Sequence, residues 1–329
     1  MSSPETRPVP VIGIAPPEAP AHAPTLEAQP AAALAYPLLL FTMLLWGGNV
    51  VAAKWAVGEV SPQVLTCLRW AFACLVLAPV AWRRFAGEWG RLRRHWPYVL
   101  AIGTFGYTIY ASLFYAAGLY TSGVNVALFQ GAIPVLVILI NYVVRRVPVG
   151  GAQVVGVCVT LAGAVVAASH GDWRVLATLA FNRGDVLMLV ACLVYAGYTV
   201  ALPARPKVSG LSFFMAIALV GFVTSLPPLA VEWALDRTIW PSPRGWAIVA
   251  FVALGPSLAA QLSFLRSVEL IGPNRAGLFI NLVPIFGAGL SILVVGEPFR
   301  WHDALALGLV LGGIVIAERF GRSTRRRSG

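Results

Sequence analysis

The chain has 329 residues, of which 58% are hydrophobic and 11% are charged, with a net charge of +11 and a mean hydropathy of +0.78. Soluble globular proteins carry roughly 25% charged residues, so this composition excludes an ordinary water-soluble enzyme, a disordered protein and a nucleic-acid-binding domain. Apolar stretches of the ~20 residues that a spanning helix needs make up much of the chain. The sequence therefore predicts an all-α polytopic membrane protein.

In chain order, a proline- and alanine-rich stretch over residues 1–34 is predicted to be a disordered tail. A basic tail over 319–329 ends the chain, and its arginines are expected to meet membrane lipid headgroups rather than nucleic acid. Ten apolar segments lie between the tails, at 35–56, 62–82, 96–118, 123–144, 151–168, 184–204, 210–232, 245–268, 275–296 and 302–318.

The basic residues are distributed unevenly between the two sets of loops. If the N-terminus is cytoplasmic, the inner set holds sixteen of the 24 Lys and Arg residues and the outer set holds five. Because Lys and Arg mark the cytoplasmic side, this asymmetry predicts ten spans with both termini in the cytoplasm of a plasma or inner membrane. The inner residues are Arg83, Arg84, Arg91, Arg93, Arg94, Arg145, Arg146, Arg205, Lys207, Arg266, Arg275, Arg319, Arg322, Arg325, Arg326 and Arg327.

The chain matches itself at an offset of 150 residues. Leu128-Phe129 falls on Leu278-Phe279, Pro134 on Pro284 and Gly163 on Gly313. Five is an odd number of spans, so two such halves enter the membrane from opposite sides. The sequence thus predicts two inverted-topology repeats of five helices, at 35–168 and 184–318, with a site near the midplane where they meet. Pro134 and Pro284 are predicted to kink their spans and to act either as hinges beside a cavity or only in helix packing.

Catalytic and metal-binding residue types are sparse. The four cysteines lie in apolar stretches, and the four histidines are scattered, so we expect no metal site and no cofactor. Lys54 and Lys207 lack the glycine-rich context of a phosphate-binding loop, and no Gly-x-Ser-x-Gly motif occurs. The sequence accordingly predicts a protein that is not an enzyme.

Several motifs resemble the EamA branch of the drug/metabolite transporter superfamily. These are Leu45-Trp46-Gly47-Gly48-Asn49 in the first segment, the run from Phe114 to Ser122, Gly184-Asp185, and Ile271-Gly272-Pro273-Asn274-Arg275-Ala276 continuing to Gly296-Glu297-Pro298. The resemblance covers about residues 35–318 and implies movement of small metabolites, often export of amino acids or related compounds. One departure is that Arg145-Arg146-Val147 stands where the family usually has Gly-Glu after the fourth span.

Polar and aromatic residues inside the spans are candidates for substrate contact. Arg69 stands roughly 12 Å into the second segment, where its guanidinium would grip a carboxylate or else be satisfied by carbonyl groups. No Asp or Glu lies in the middle of a span, and Glu297 is expected to favour the dipole of the tenth helix. The full set of candidates is Trp46, Asn49, Arg69, Tyr107, Tyr110, Gln130, Tyr195, Tyr198, Gln261 and Asn281.

The leading hypothesis is a secondary transporter that moves a small molecule by alternating access. An exporter of lipophilic drugs or nucleosides, a membrane sensor and an intramembrane enzyme remain as alternatives. Gly308 and Gly312 in the tenth segment fit either packing within one chain or a homodimer.

Overall fold

A computed structural model of the protein describes residues 28–147, 149–172, 174–175 and 182–325. Within these ranges the chain forms helices and no β-strand. We number ten helical segments α1 (Ala28–Trp55), α2 (Pro62–Arg94), α3 (Trp96–Gly118), α4 (Gly123–Arg145), α5 (Gly151–Ser169), α6 (Arg183–Ala204), α7 (Gly210–Ala234), α8 (Pro243–Ile271), α9 (Arg275–Val295) and α10 (Trp301–Arg325). Helix α9 is preceded by a first turn that begins at Pro273.

The predicted all-α membrane architecture is confirmed. In the described part of the chain, nine helices are long and apolar enough to cross a membrane, and α10 contributes a shorter apolar helix over Trp301–Ala317. The predicted tail residues 1–27 and 326–329 lie outside the described residues.

Three helix ends differ by several residues from the sequence-based boundaries. Helix α1 begins at Ala28 rather than at residue 35, and α10 continues to Arg325, through most of the segment predicted as a tail. Helix α2 continues to Arg94, whereas the second span was predicted to end at 82. In this extension Phe85 and Leu92 are buried while the arginines are exposed. The extension is thus an amphipathic helix, which a search for continuous apolar residues does not detect.

The two halves share backbone irregularities at the 150-residue offset. A π-helical turn interrupts α3 at Thr104–Ile109, and another interrupts α8 at Ala253–Ala259. Helix α4 is broken at residues 131–132, directly before Ile133–Arg145, and α9 is broken by a 3-10 turn at Ile280–Leu282. Pro134 and Pro284 therefore each stand in the first turn of a resumed helix, where a missing N–H costs little.

The helix ends lie on two opposite sides of the bundle, and each side has its own contacts between helices. On the side with most of the arginines, the carboxylate of Glu88 accepts hydrogen bonds from Ser209, and Arg145 donates to the carbonyl of Val200. On the opposite side, Ser61 donates to Glu232 and Ser242 donates to Glu59. We call the first the arginine-rich side and the second the latched side.

Helices α5 and α10 pack closely along glycines at equivalent places in the two repeats. A Cβ atom on Gly163 would lie 2.9 Å from the carbonyl oxygen of Ala306, and one on Gly313 would lie 2.6 Å from the backbone nitrogen of Thr160. In contrast, a Cβ atom on Gly308 or Gly312 would meet nothing within 4 Å. The close packing within this chain therefore uses Gly313 and not the pair noted in the sequence, and the homodimer stays a prediction.

This contrast gives a prediction with a built-in control. Gly313→Ala places a methyl group against backbone atoms that cannot rotate away, so we expect it to lower the stability by about 1–3 kcal/mol. Gly312→Ala, on the adjacent residue, should leave stability unchanged or slightly raised. Thermal unfolding of both variants in the same detergent would measure this, and equal melting temperatures would contradict the described packing of α5 on α10.

Candidate functional site

A cavity of about 1050 Å³ lies between the two halves. Its volume is in the range of sites for small organic molecules. The lining includes all ten side chains that the sequence singled out, drawn from both repeats, together with Pro134. Pro284 is not among the lining residues. The fold therefore brings the ten candidate residues together around one cavity.

The cavity reaches one side of the molecule. Its lining includes Val147, Val149 and Gly150 between α4 and α5, Leu202 at the end of α6, and Pro273 between α8 and α9. These all belong to the arginine-rich side, and no lining residue comes from the connections on the latched side that the structure describes. The structure therefore shows the cavity open toward the arginine-rich side.

Arg69 provides the charge in this cavity. Its side chain is only 7% exposed, and its Nε donates to Ser257 Oγ at 3.0 Å while Nη1 donates to Tyr115 Oη at 2.6 Å. The guanidinium carbon also lies 4.7 Å from the centre of the Trp70 ring, a cation–π contact. Of the described hydrogen bonds none uses Nη2, and no described carboxylate lies within 4.0 Å of the guanidinium. The result is a buried cation held by neutral partners.

The neighbours of Arg69 are themselves fixed by further hydrogen bonds. Tyr115 Oη donates to Asn49 Oδ1 at 2.8 Å, which links α3 to α1, and Ser257 Oγ donates to the carbonyl of Val252 at 2.8 Å. A guanidinium fork held from two sides is oriented before any ligand arrives, and it matches the geometry of a carboxylate.

The two π-helical turns bring backbone groups to the cavity wall. Such turns break the regular bonding of a helix and are frequent at functional sites. Trp70 Nε1 donates to the carbonyl of Tyr107 in α3, and Trp46 Nε1 donates to the carbonyl of Pro256 in α8, both at 3.2 Å. An indole N–H thus satisfies a π-turn carbonyl in each repeat, which membrane burial requires.

Aromatic rings form one wall of the cavity. Tyr110 and Tyr195 lie 4.7 Å apart between ring centres, Tyr195 and Tyr198 lie 5.2 Å apart, and Trp70 stacks on Tyr107 at 4.2 Å. These separations are those of favourable aromatic pairs. The wall is therefore preformed and offers ring faces and edges to an apolar part of a ligand.

Amide groups complete the lining. Gln130 donates from Nε2 to Tyr110 Oη at 2.9 Å, whereas its buried Oε1 has no hydrogen-bond partner among the described residues. Gln261 and Asn281 line the cavity from α8 and α9. An acceptor oxygen left over in a buried wall is available to a donor on a ligand, because an unpaired buried polar atom is costly.

On the latched side, Glu297 joins the two repeats. Its Oε1 accepts from the backbone N–H of Gly123 at 2.8 Å, and its Oε2 accepts from that of Val124 at 3.0 Å. Gly296, at φ +78°, ends α9 and turns the chain toward α4. The expectation that Glu297 serves the dipole of the tenth helix is thus wrong, since its carboxylate caps the first turn of α4 instead. We call these two hydrogen bonds the Glu297 latch.

Further contacts hold the same side closed. Lys54 Nζ donates to the carbonyls of Gly118 and Thr121 at 2.9 and 2.8 Å, at the end of α3. Asp185 accepts from Thr121 and from Asn125, which ties α6 to α4. The position equivalent to Glu297 on the arginine-rich side is Val147, and the position equivalent to Gly123 is Pro273, which has no N–H. This side therefore has no matching latch.

Three residues around Arg69 were not among the ten candidates, although Tyr115 is one of the aromatic residues in the spans that the sequence indicates as cavity lining. Tyr115 and Ser257 hold Arg69, and Trp70 covers one face of it. A signal existed for two of them, because Trp70 adjoins Arg69 and Tyr115 stands in the Phe114–Ser122 motif. Ser257 offered none, because it contacts Arg69 only through the fold.

A two-repeat bundle of apolar helices around a central cavity lined by both repeats is the arrangement of a multi-pass membrane transporter. The model of the EamA-like transporter family matches residues 33–169 and again residues 182–318. The chain belongs to the EamA-like transporter family, as the sequence resemblance predicts.

Similar proteins agree with this assignment. The chain is 24% identical over 288 residues to the uncharacterized transporter YyaM of Bacillus subtilis, covering 86% of this chain and 93% of the relative. It is 23% identical over 299 residues to the uncharacterized inner membrane transporter YicL of Salmonella typhimurium, covering 88% and 96%. A solved crystal structure superposes with a TM-score of 0.60 at 22% identity, covering 89% of this chain and 99% of that one, and it supports the fold alone.

Proposed function

We propose that the protein is a secondary transporter that binds a small carboxylate-bearing metabolite, an amino acid or a related compound, at Arg69. The observation that carries this proposal is a buried guanidinium at the cavity wall with no carboxylate partner within 4.0 Å among the described residues. A buried charge is costly unless it is paired. A carboxylate on the substrate would supply the pair, and the open Nη2 would supply donors for it.

The transport cycle follows from the two sides. In the state described here the cavity is open at the arginine-rich side and closed by the Glu297 latch at the other. We propose that the halves exchange these roles once substrate is bound, with the breaks before Pro134 and Pro284 as the hinges. Both breaks lie where α4 and α9 pack against each other beside the cavity, so a change at either break moves both halves.

We propose export as the direction of transport. The open side carries most of the arginines, and by the positive-inside rule that side is cytoplasmic, with both termini there. A cavity that loads from the cytoplasm and is closed on the other side suits an exporter. A protease added to the outside of inverted membrane vesicles should cleave a C-terminal tag, and the same protease added outside intact spheroplasts should not. Cleavage in intact spheroplasts would contradict this orientation.

Counterflow in proteoliposomes tests the function itself. Vesicles are preloaded with a mixture of amino acids and small organic acids, and one labelled member at a time is added outside. We expect transient accumulation of at least one labelled carboxylate above the level in protein-free vesicles, because exchange through a carrier needs no external driving force. Equal uptake with and without correctly inserted protein, for every carboxylate offered, would contradict the proposal.

A further inference from the structure

We propose that the cavity selects an aromatic monocarboxylate that has no ammonium group, and that it discriminates against the amino acid of the same skeleton. This inference rests on the proposed function, because it takes the cavity to be the substrate site. It concerns which net charge a substrate must carry to fit the charges of the lining residues.

The described lining contains one charged side chain, that of Arg69, and no aspartate or glutamate. No described carboxylate lines the cavity, and four of them have partners elsewhere. Glu297 and Glu232 hold the latched side, Glu88 accepts from Ser209, and Glu269 pairs with Arg266 at 3.0 Å. The side chain of Glu318, which follows the lining residue Ala317 in the chain, is outside the described part.

A single buried cation is balanced by a single anion. With its Nε and Nη1 bonded to Ser257 and Tyr115, the guanidinium keeps its Nη2 donors for one carboxylate. The resulting pair is neutral, so the bound monoanion leaves no unpaired charge in the low-dielectric interior. A zwitterion brings one additional positive charge into the same space.

That additional charge would be poorly placed. In an α-amino acid the ammonium group is two bonds from the carboxylate carbon, so it would lie on the same side of the cavity as the guanidinium and be repelled by it. Neutral groups such as Gln130 Oε1 and the ring faces are what the described lining offers an ammonium, and Arg69 already lies over the faces of Trp70 and Tyr115, at 4.7 and 5.6 Å from their centres. The zwitterion therefore loses hydration without gaining an ion pair.

A neutral donor fits the same place better. Gln130 Oε1 is a buried acceptor without a partner, and a hydroxyl group donates to it without adding charge. The rings of Tyr107, Tyr110, Tyr195 and Tyr198 form the apolar wall along which an aromatic side chain would pack. Arg69, Gln130 and the tyrosine rings together fit an aromatic carboxylate whose carbon 2 carries either a hydroxyl group or no substituent.

Three probes with the same phenyl ring separate the possibilities. L-phenyllactate carries a carboxylate and a hydroxyl, L-phenylalanine carries a carboxylate and an ammonium, and L-phenylalaninol carries an ammonium and a hydroxyl. Their binding to the purified full chain is measured by titration calorimetry at pH 7.5, and exchange of labelled phenyllactate is measured by counterflow against protein-free vesicles. We expect phenyllactate to bind about tenfold or more tightly than phenylalanine, and phenylalaninol to show no detectable binding. In Arg69→Gln, phenyllactate binding should fall to the level of phenylalaninol.

The outcomes separate this inference from the proposed function. Phenylalanine binding as tightly as phenyllactate or more tightly, with both lost in Arg69→Gln, would overturn the inference and keep the carboxylate site. Phenylalanine binding that falls in Glu318→Gln, with phenyllactate binding unchanged, would contradict the charge argument, because Glu318 would then pair with the ammonium. Binding of phenyllactate that is unaffected by Arg69→Gln would contradict the proposed function itself.

Discussion

Replacing Arg69 with glutamine is expected to weaken carboxylate binding by about 100-fold and to abolish counterflow of that substrate. Truncating one partner of a buried, hydrogen-bonded charge pair costs about 2–5 kcal/mol, and each 1.4 kcal/mol corresponds to about tenfold in affinity. Glutamine keeps donors for Tyr115 and for the substrate but removes the charge. Titration of the purified variant and counterflow with the same preparation measure the two effects.

Two further variants separate the effect of charge from that of geometry and provide a control. Arg69→Lys keeps the charge but cannot hold Ser257, Tyr115 and a carboxylate with one planar group, so we expect a loss intermediate between wild type and Arg69→Gln. Arg266→Gln removes an arginine that is exposed and pairs with Glu269 away from the cavity, and it should bind and transport as wild type does. Wild-type binding by a folded Arg69→Gln protein would eliminate Arg69 as the anchor.

Replacing Glu297 with glutamine is expected to open the latched side. The carboxylate accepts two backbone N–H groups at the start of α4, where the helix dipole also favours negative charge. Hydrogen bonds to a charged group contribute about 1.5–3 kcal/mol each, and glutamine offers one neutral acceptor in place of two charged ones. We therefore expect the balance between the two states to move toward the open latched side by about tenfold or more.

Labelling of a single cysteine reports this change. In a background without the four native cysteines, Ser291→Cys places a thiol beside Gly123 behind the Glu297 latch, where Ser291 is buried. A hydrophilic maleimide should react about tenfold faster when Glu297→Gln is also present. Glu269→Gln, which removes an exposed carboxylate from the arginine-rich side, serves as the control and should not change the rate. Equal rates in the Glu297→Gln and control backgrounds would show that Glu297 does not hold this side closed.

Helix number, repeat and cavity residues follow from different features of the sequence. Continuous apolar segments indicate the spans, because the bilayer requires ~20 such residues. The proline and glycine matches at 150 residues indicate the repeat, since each has a backbone consequence, and the structure shows helix breaks directly before both Pro134 and Pro284. Rare polar residues inside spans indicate the cavity lining, because the membrane makes them costly elsewhere.

Part of what the sequence did not predict depends on distant contacts. The π-helical turns that place Tyr107 and Ser257 on the cavity wall were not predicted, although Pro256 in the second turn removes a backbone N–H and gave a local signal for that one. The role of Glu297 could not be predicted either, because its partners Gly123 and Val124 lie in the other repeat. The extension of α2 to Arg94 was missed because spans were sought as continuous apolar runs, whereas an amphipathic helix has apolar residues on one face only.

The two repeats differ in sequence at the turn that carries the Glu297 latch. The family-like Gly-Glu pair is present as Gly296-Glu297 and absent at Arg146-Val147, although Arg146 adopts the left-handed conformation at φ 51° that Gly296 adopts at +78°. The turn is thus repeated while the carboxylate is not. A latch on one side only is consistent with a resting state that is open at the arginine-rich side.

If one cavity is exposed to the two sides in turn, the two sides must open and close in opposite senses, and distances between spin labels measure this. One pair of labels is placed at Tyr120 and Phe299 on the latched side, and a second pair is placed at Val144 and Glu269 on the arginine-rich side, all exposed positions. On addition of a saturating exchanged carboxylate, we predict a population with a longer distance on the latched side and a shorter distance on the arginine-rich side. Unchanged distances in both pairs, or changes of the same sign, in protein that performs counterflow would contradict alternating access.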